Sequence, residues 1–137
     1  MFGYLFPCHV IMASILIIDD NELVRGFLRT VLEGAGHTVV EASQGREGFQ
    51  HLHRLRFSMV LTDIYMPDCD GLEVIMTLRR DFPEIKILAI TGGSGDKNLL
   101  TAARKLGAAQ VLGKPISVET LLKTVECTLA GIPQSLA

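Results

Sequence analysis

The chain has 137 residues, 48% of them hydrophobic and 20% charged, a length and mix that suit one compact domain with its own core. Its formal net charge of -2 provides no overall basic field for nucleic acid, and no run of like charges forms a binding tail. No apolar stretch reaches the roughly 20 residues of a membrane span, and Cys8, Cys69 and Cys127 lack a CxxC pairing and read as free thiols of a reducing cytoplasm.

Residues 1–11, MFGYLFPCHVI, are apolar but have no Lys/Arg start and are interrupted by Pro7, which argues against a signal peptide. We read 1–13 as an extension ahead of a domain spanning 14–130. The first strand candidate, Ser14–Ile18, ends on Asp19 and Asp20. Leu23, Val24, Phe27, Leu28, Val31 and Leu32 then recur at helical spacing and predict one inward apolar stripe, with Asn21 as N-cap and Gly34 or Gly36 as stop. A second strand is predicted at 38–41 and a weaker helix at 44–55. The third strand, 58–62, leads into Asp63. A helix over Gly71–Asp81 stops before Pro83, and a fourth strand at 85–90 leads into Thr91. The helix at 96–106 is stopped by Gly107, and the last strand, 110–112, precedes Lys114. Ser117 caps a final helix at 117–129 whose Leu121, Leu122, Val125 and Leu129 face inward. Residues 131–137 form a tail, too short for an output domain.

Short apolar runs alternating with helical segments predict a parallel sheet covered on both faces, in (βα)₅ order. Right-handed crossovers favour a doubly wound open sheet, whose ligands sit at the carboxyl ends of the strands. That rule brings Asp19, Asp20, Asp63, Thr91 and Lys114 to one rim. Carboxylates about 4 Å apart repel by about 4 kcal/mol at an effective dielectric near 20, so three together call for a cation. Mg²⁺, which prefers oxygen ligands and keeps several waters, fits Asp20 and Asp63 directly and Asp19 through water. Asp63 is then a candidate nucleophile toward phosphorus, with Lys114 and the Thr91 hydroxyl offsetting charge on the phosphoryl oxygens and the Gly92 and Gly93 backbones able to approach closely.

These residues, together with Met66-Pro67 and Gly71 after Asp63 and Pro115 after Lys114, resemble the receiver domain of bacterial response regulators, over about 14–129. The resemblance implies a flavodoxin-like sheet of order 2-1-3-4-5. It also implies phosphorylation of Asp63 by a phosphohistidine on a histidine kinase or phosphotransfer protein, Mg²⁺ bound partly through the Tyr65 carbonyl, a cis Lys114-Pro115 bond and slow self-catalysed dephosphorylation. Signalling is implied through the face of the fourth helix, fifth strand and fifth helix, toward a protein target or a second copy. The family usually carries an aromatic switch three residues before the lysine, and here that position is Val111. Tyr65 and Gly93 stand where the family tunes phosphate lifetime.

Other readings carry less. Asp19-Asp20 alone would be an ordinary helix-capping pair. Gly92-Gly93-Ser94-Gly95 lacks GxGxxG spacing and the lysine of a P-loop, and Asp68-Cys69-Asp70-Gly71 lacks the further ligands of a calcium loop. His51 and His53 point to different sides of a helix, and His37 reads as structural. An aspartate-nucleophile phosphatase would place a DxD motif after the first strand, where this chain has Asp19-Asp20-Asn21. A receiver-like scaffold without phosphate chemistry is disfavoured by the complete acidic set.

Overall fold

The structure, a computed structural model, describes residues 12–66, 69–92 and 97–132. The 1–11 segment, Pro67, Gly93, Asp96 and residues 133–137, on which some expectations fall, lie outside the described residues. Five parallel strands form the sheet: β1 (Ser14–Ile18), β2 (Thr38–Ala42), β3 (Met59–Asp63), β4 (Lys86–Thr91) and β5 (Gln110–Gly113). Their order is β2-β1-β3-β4-β5, the doubly wound, flavodoxin-like arrangement expected. The helices are α1 (Glu22–Gly34), α2 (Gly45–Arg54), α3 (Gly71–Asp81), α4 (Lys97–Leu106) and α5 (Val118–Ala130), and a two-residue antiparallel ribbon pairs Tyr65 with Asp70.

Because each strand residue points to the side opposite its neighbour, β1 feeds two cores at once. Ile15 and Ile17 pack with Leu28 and Leu32 of α1 and with Leu121 and Val125 of α5. Leu16 and Ile18 pack on the other face with Leu52 of α2, Val74, Ile75 and Leu78 of α3, and Ala103 of α4. All four β1 residues are fully buried, which is why this strand reads as an unbroken apolar run. Burying each such side chain contributes about 1.5–3 kcal/mol, so the central strands form the stable frame on which the rim is built.

The caps are local chemistry. Asn21 accepts from the Val24 N–H and Ser117 from the Thr120 N–H, satisfying helix donors that would otherwise lack partners. Of the two glycines proposed to stop α1, Gly36 adopts the left-handed conformation, with φ of 99°. His37 is structural, its Nδ1 accepting from the Ala13 N–H at 3.1 Å, and burial holds its pKa below the ordinary histidine value.

The predicted stripe on α1 is narrower than expected. Leu28 and Leu32 are buried and Val24 and Val31 partly so, but Leu23 is 85% exposed and Phe27 37%. α1 covers the sheet with one flank only. Its other flank turns toward Pro115 and Ile116 after β5, and Leu23 and Phe27 form a surface apolar patch with them. Strand ends also shift by a residue. Asp63 pairs with Ile90 and Thr91 with Gly113, so both are the last residues of their strands rather than the first beyond them.

Candidate functional site at the carboxyl rim

The ladder itself delivers the site residues. Asp19 follows β1 with its N–H still bonded to the Ala42 carbonyl at 3.1 Å, so its side chain is held against the sheet and fully buried. Asp20, one residue further, is exposed. Asp63 ends β3 at 3% exposure, and the Ile64 N–H bonds the Ile90 carbonyl at 2.8 Å to fix the turn beyond it. Lys114 follows β5, its N–H donating to the Thr91 carbonyl at 2.8 Å, and the Lys114-Pro115 peptide is cis.

Carboxylate oxygens of Asp19, Asp20 and Asp63 lie within 4.8 Å of one another. The Lys114 ammonium stands 3.1 Å from Asp19 Oδ2 and 3.2 Å from Asp63 Oδ2, and it donates a hydrogen bond to the latter. Asp63 Oδ1 accepts from the Tyr65 N–H at 3.0 Å, while the Tyr65 residue as a whole is 54% exposed. Among the described residues, two buried polar atoms have no hydrogen-bond partner: Asp19 Oδ2, which meets the Lys114 ammonium only as an ion pair, and the Thr91 hydroxyl. Buried polar groups are nearly always partnered, so these two mark places where something polar belongs. An oxygen-preferring divalent cation fits the three carboxylates, and an anionic oxygen fits the hydroxyl.

Burial pushes the Asp63 carboxyl above the ordinary carboxylate value, and the neighbouring Asp19 charge adds to the rise against the opposing Tyr65 N–H and Lys114 ammonium. For Lys114, burial pulls downward, but the nearby Asp19 and Asp63 outweigh it and hold the ammonium above its ordinary value. A folded-state pKa above the unfolded one means that the ionised Asp63 carboxylate destabilises the fold at neutral pH, and that this penalty fades as pH falls toward the unfolded value of 3.8. Asp63→Asn, without divalent cations at pH 7, is therefore expected to melt roughly 2–5 °C above the parent, with the gap closing near pH 4. A variant less stable than the parent at pH 7 contradicts this reading of the site.

Of the residues proposed from the sequence, Asp19, Asp20, Asp63, Thr91 and Lys114 stand at this one rim, with Tyr65 two residues beyond Asp63 and its N–H bonded to the Asp63 carboxylate. A Cβ at Gly92 would meet nothing within 4 Å among the described residues, so none of them demands a small residue there. Val111 is half-buried and packs against the α2–α4 core with no aromatic ring at its position. Two contributors go beyond the roles read from the sequence: Gly71, named there only as a helix start and as part of the resemblance, and Arg25, which the sequence reading missed. Gly71 lies so close to the turn after Asp63 that a Cβ would collide with the Ile64 Cα and carbonyl and with the Asp63 carbonyl. Arg25 donates from Nη1 to the Asp19 carbonyl at 2.7 Å. The signal for Arg25 was available: a cation in the first turns of a helix opposes the macrodipole and needs a specific partner.

Doubly wound sheets with a buried acidic cluster and a lysine at the carboxyl rim define the class of CheY-like receiver folds. Residues 15–126 match the response regulator receiver domain family, and the chain belongs to that family. It is 34% identical over 122 residues to Protein PilH of Pseudomonas aeruginosa, covering 88% of this chain and 100% of PilH. To the response regulator receiver protein CpdR of Brucella abortus it is 34% identical, covering 84% of this chain and 95% of CpdR. It is also 35% identical to the CAI-1 autoinducer sensor kinase/phosphatase CqsS of Vibrio cholerae, but there it covers 81% of this chain and only 16% of the larger protein. Among solved structures, the chemotaxis response regulator CheY4 of Vibrio cholerae superposes with a TM-score of 0.79 at 29% identity, over 85% of this chain and 98% of CheY4. The family is one of two-component signalling domains rather than of classical metabolic enzymes. Among the described residues no helix is long and apolar enough to cross a membrane.

Proposed function

We propose that this receiver accepts a phosphoryl group on Asp63 from a phosphohistidine of a histidine kinase or phosphotransfer protein, in the cytoplasm, and signals by protein contact. The observation that carries the reading is the convergence of Asp19, Asp20 and Asp63 within 4.8 Å, with Lys114 bridging two of them. Asp19, Asp20, Asp63 and the Tyr65 carbonyl would hold Mg²⁺, which when bound supplies charge neutralisation for the carboxylates and the phosphoryl oxygens.

In the transfer, an Asp63 oxygen forms a bond to phosphorus as the donor's N–P bond breaks, and the departing imidazole takes up a proton. Protein groups contribute mainly position and charge. The Lys114 ammonium, already 3.2 Å from Asp63 Oδ2, swings its pairing to the phosphoryl group. The Thr91 hydroxyl, without a partner among the described residues, gains an acceptor. Leu23, Phe27, Pro115 and Ile116 give the donor protein an apolar surface beside Lys114. Modification adds about 1.5–2 negative charges at the rim. With Val111 in place of an aromatic switch, we assign the response to Thr91, the segment after β4 and α4. The face of α4, β5 and α5, grooved between Arg104, Val111 and Thr120, meets the downstream protein or a second copy.

Acetyl phosphate or phosphoramidate with Mg²⁺ is expected to add about 80 Da to the parent, one phosphoryl group, and nothing to Asp63→Asn. An Asp63→Asn variant labelled to parental stoichiometry removes the assignment. Partner-free turnover of a phosphomonoester points to a phosphatase instead.

A further inference from the structure

We infer that Arg25 is a positioning residue for the acidic pair: anchored on Glu41, its guanidinium grips the Asp19 backbone carbonyl and thereby sets how Asp19 and Asp20 meet a divalent cation. The inference rests on the cation-binding reading of the rim. Asp19 is restrained on every side but one. Its N–H goes to the Ala42 carbonyl at 3.1 Å and its Oδ1 accepts from the Asn21 N–H at 2.8 Å. What remains is the peptide plane between Asp19 and Asp20, and the Arg25 Nη1 bond of 2.7 Å to the Asp19 carbonyl is what fixes it. Asp20 depends on that plane, because its exposed carboxylate makes no hydrogen bond or ion pair among the described residues.

The guanidinium is itself held. Its Nε lies 3.2 Å from Glu41 Oε1, and the Arg25 side chain is 16% exposed. The other Glu41 oxygen meets Arg29 Nη1 at 2.9 Å, so each arginine pairs with its own carboxylate oxygen. Arg29 also pairs with Glu33, one turn along α1. The link between α1 and β2 is therefore made twice, and only Arg25 carries it on to Asp19. A planar fork that binds a carboxylate with one nitrogen and a carbonyl with another is a task for arginine and not for lysine.

The matched pair of Arg25 and Arg29 supplies the test. Mn²⁺ binding to the full chain would be followed by electron paramagnetic resonance, Mg²⁺ affinity by competition, and metal-free stability by thermal melting. Arg25→Gln is expected to weaken Mg²⁺ about tenfold or more, as loss of a group that orients metal ligands does, with a changed Mn²⁺ spectrum. Arg29→Gln should melt at a similarly lowered temperature yet bind within about twofold of the parent on the same scale. Arg25→Lys, whose single ammonium cannot span the Glu41 carboxylate and the Asp19 carbonyl as the planar fork does, should stay well short of parental affinity. Glu41→Gln, which keeps the guanidinium but loosens its anchor, should fall between parent and Arg25→Gln, and it stands in if Arg25→Gln fails to fold. Equal losses of affinity in Arg25→Gln and Arg29→Gln, or parental affinity in Arg25→Gln, overturn the inference and leave the cation site standing. A parent that binds no Mn²⁺ overturns the site itself.

Discussion

Lys114→Met is expected to slow phosphorylation of Asp63 by acetyl phosphate about 100- to 1000-fold at saturating Mg²⁺, the usual cost of removing a preorganised group that stabilises developing charge. Methionine keeps the length and apolar stem that lie beside Leu23, Phe27 and Ile116, so the change is chiefly one of charge. The ammonium sits 3.1 and 3.2 Å from two carboxylates, contacts worth about 5 kcal/mol each before desolvation at an effective dielectric near 20. Without it, a fully buried Asp19 faces Asp63 with no compensating charge. Breaking a buried pair in this way costs about 3–5 kcal/mol, and with the Lys114 side chain 22% exposed the lower end applies. Divalent cation should restore the stability, since it neutralises the same carboxylates, but not the rate. Denaturant melts with and without Mg²⁺, beside initial rates from intact mass, separate the two. A variant that accepts phosphate at the parental rate removes Lys114 from the chemistry.

Gly71→Ala should be the most damaging single-methyl change at the rim. The new Cβ would press on the Ile64 and Asp63 backbones, and backbone, unlike a side chain, cannot rotate away. Either the start of α3 or the turn carrying Asp63 must retreat, straining the Gly71 N–H bond to the Ile64 carbonyl at 3.2 Å. Overpacking of this kind costs about 1–3 kcal/mol. Misplacing a reacting group by about 1 Å costs up to about 100-fold in rate. Gly26→Ala is the control: it lies within α1 with nothing within 4 Å of its Cβ, and it should gain about 0.5–1 kcal/mol through helix propensity and leave the rate unchanged. Parental stability and rate in Gly71→Ala would show that the turn is soft, and that its register does not set the position of Asp63.

Much of the rim was legible because the apolar runs of β1, β3, β4 and β5 each give way to polar residues at the carboxyl end. Burial on both faces makes each strand a short apolar run, so the polar residues that close it are visible as a letter change: Asp19, Thr62-Asp63, Thr91 and, after Gly113, Lys114. The doubly wound topology then requires these ends to share an edge. Errors came where periodicity states a side but not its cover. Leu23 and Phe27 fit the helical stripe, yet α1 lies on the sheet by one flank and leaves them to solvent. Asp63 and Thr91 proved to be strand residues, because their neighbours' pairings carry the ladder one residue further.

What the linear order of residues settles by itself is the alternation of strand and helix, the (βα)₅ winding and the chemical character of each strand end, since these follow from local periodicity and from crossover handedness. The hold of Arg25 on the Asp19 carbonyl, the contact of Gly71 with the turn after Asp63 and the burial of the Thr91 hydroxyl were decided only in three dimensions. Each depends on the distance between segments joined by nothing but packing, and such distances follow from how the layers of the whole domain settle against one another.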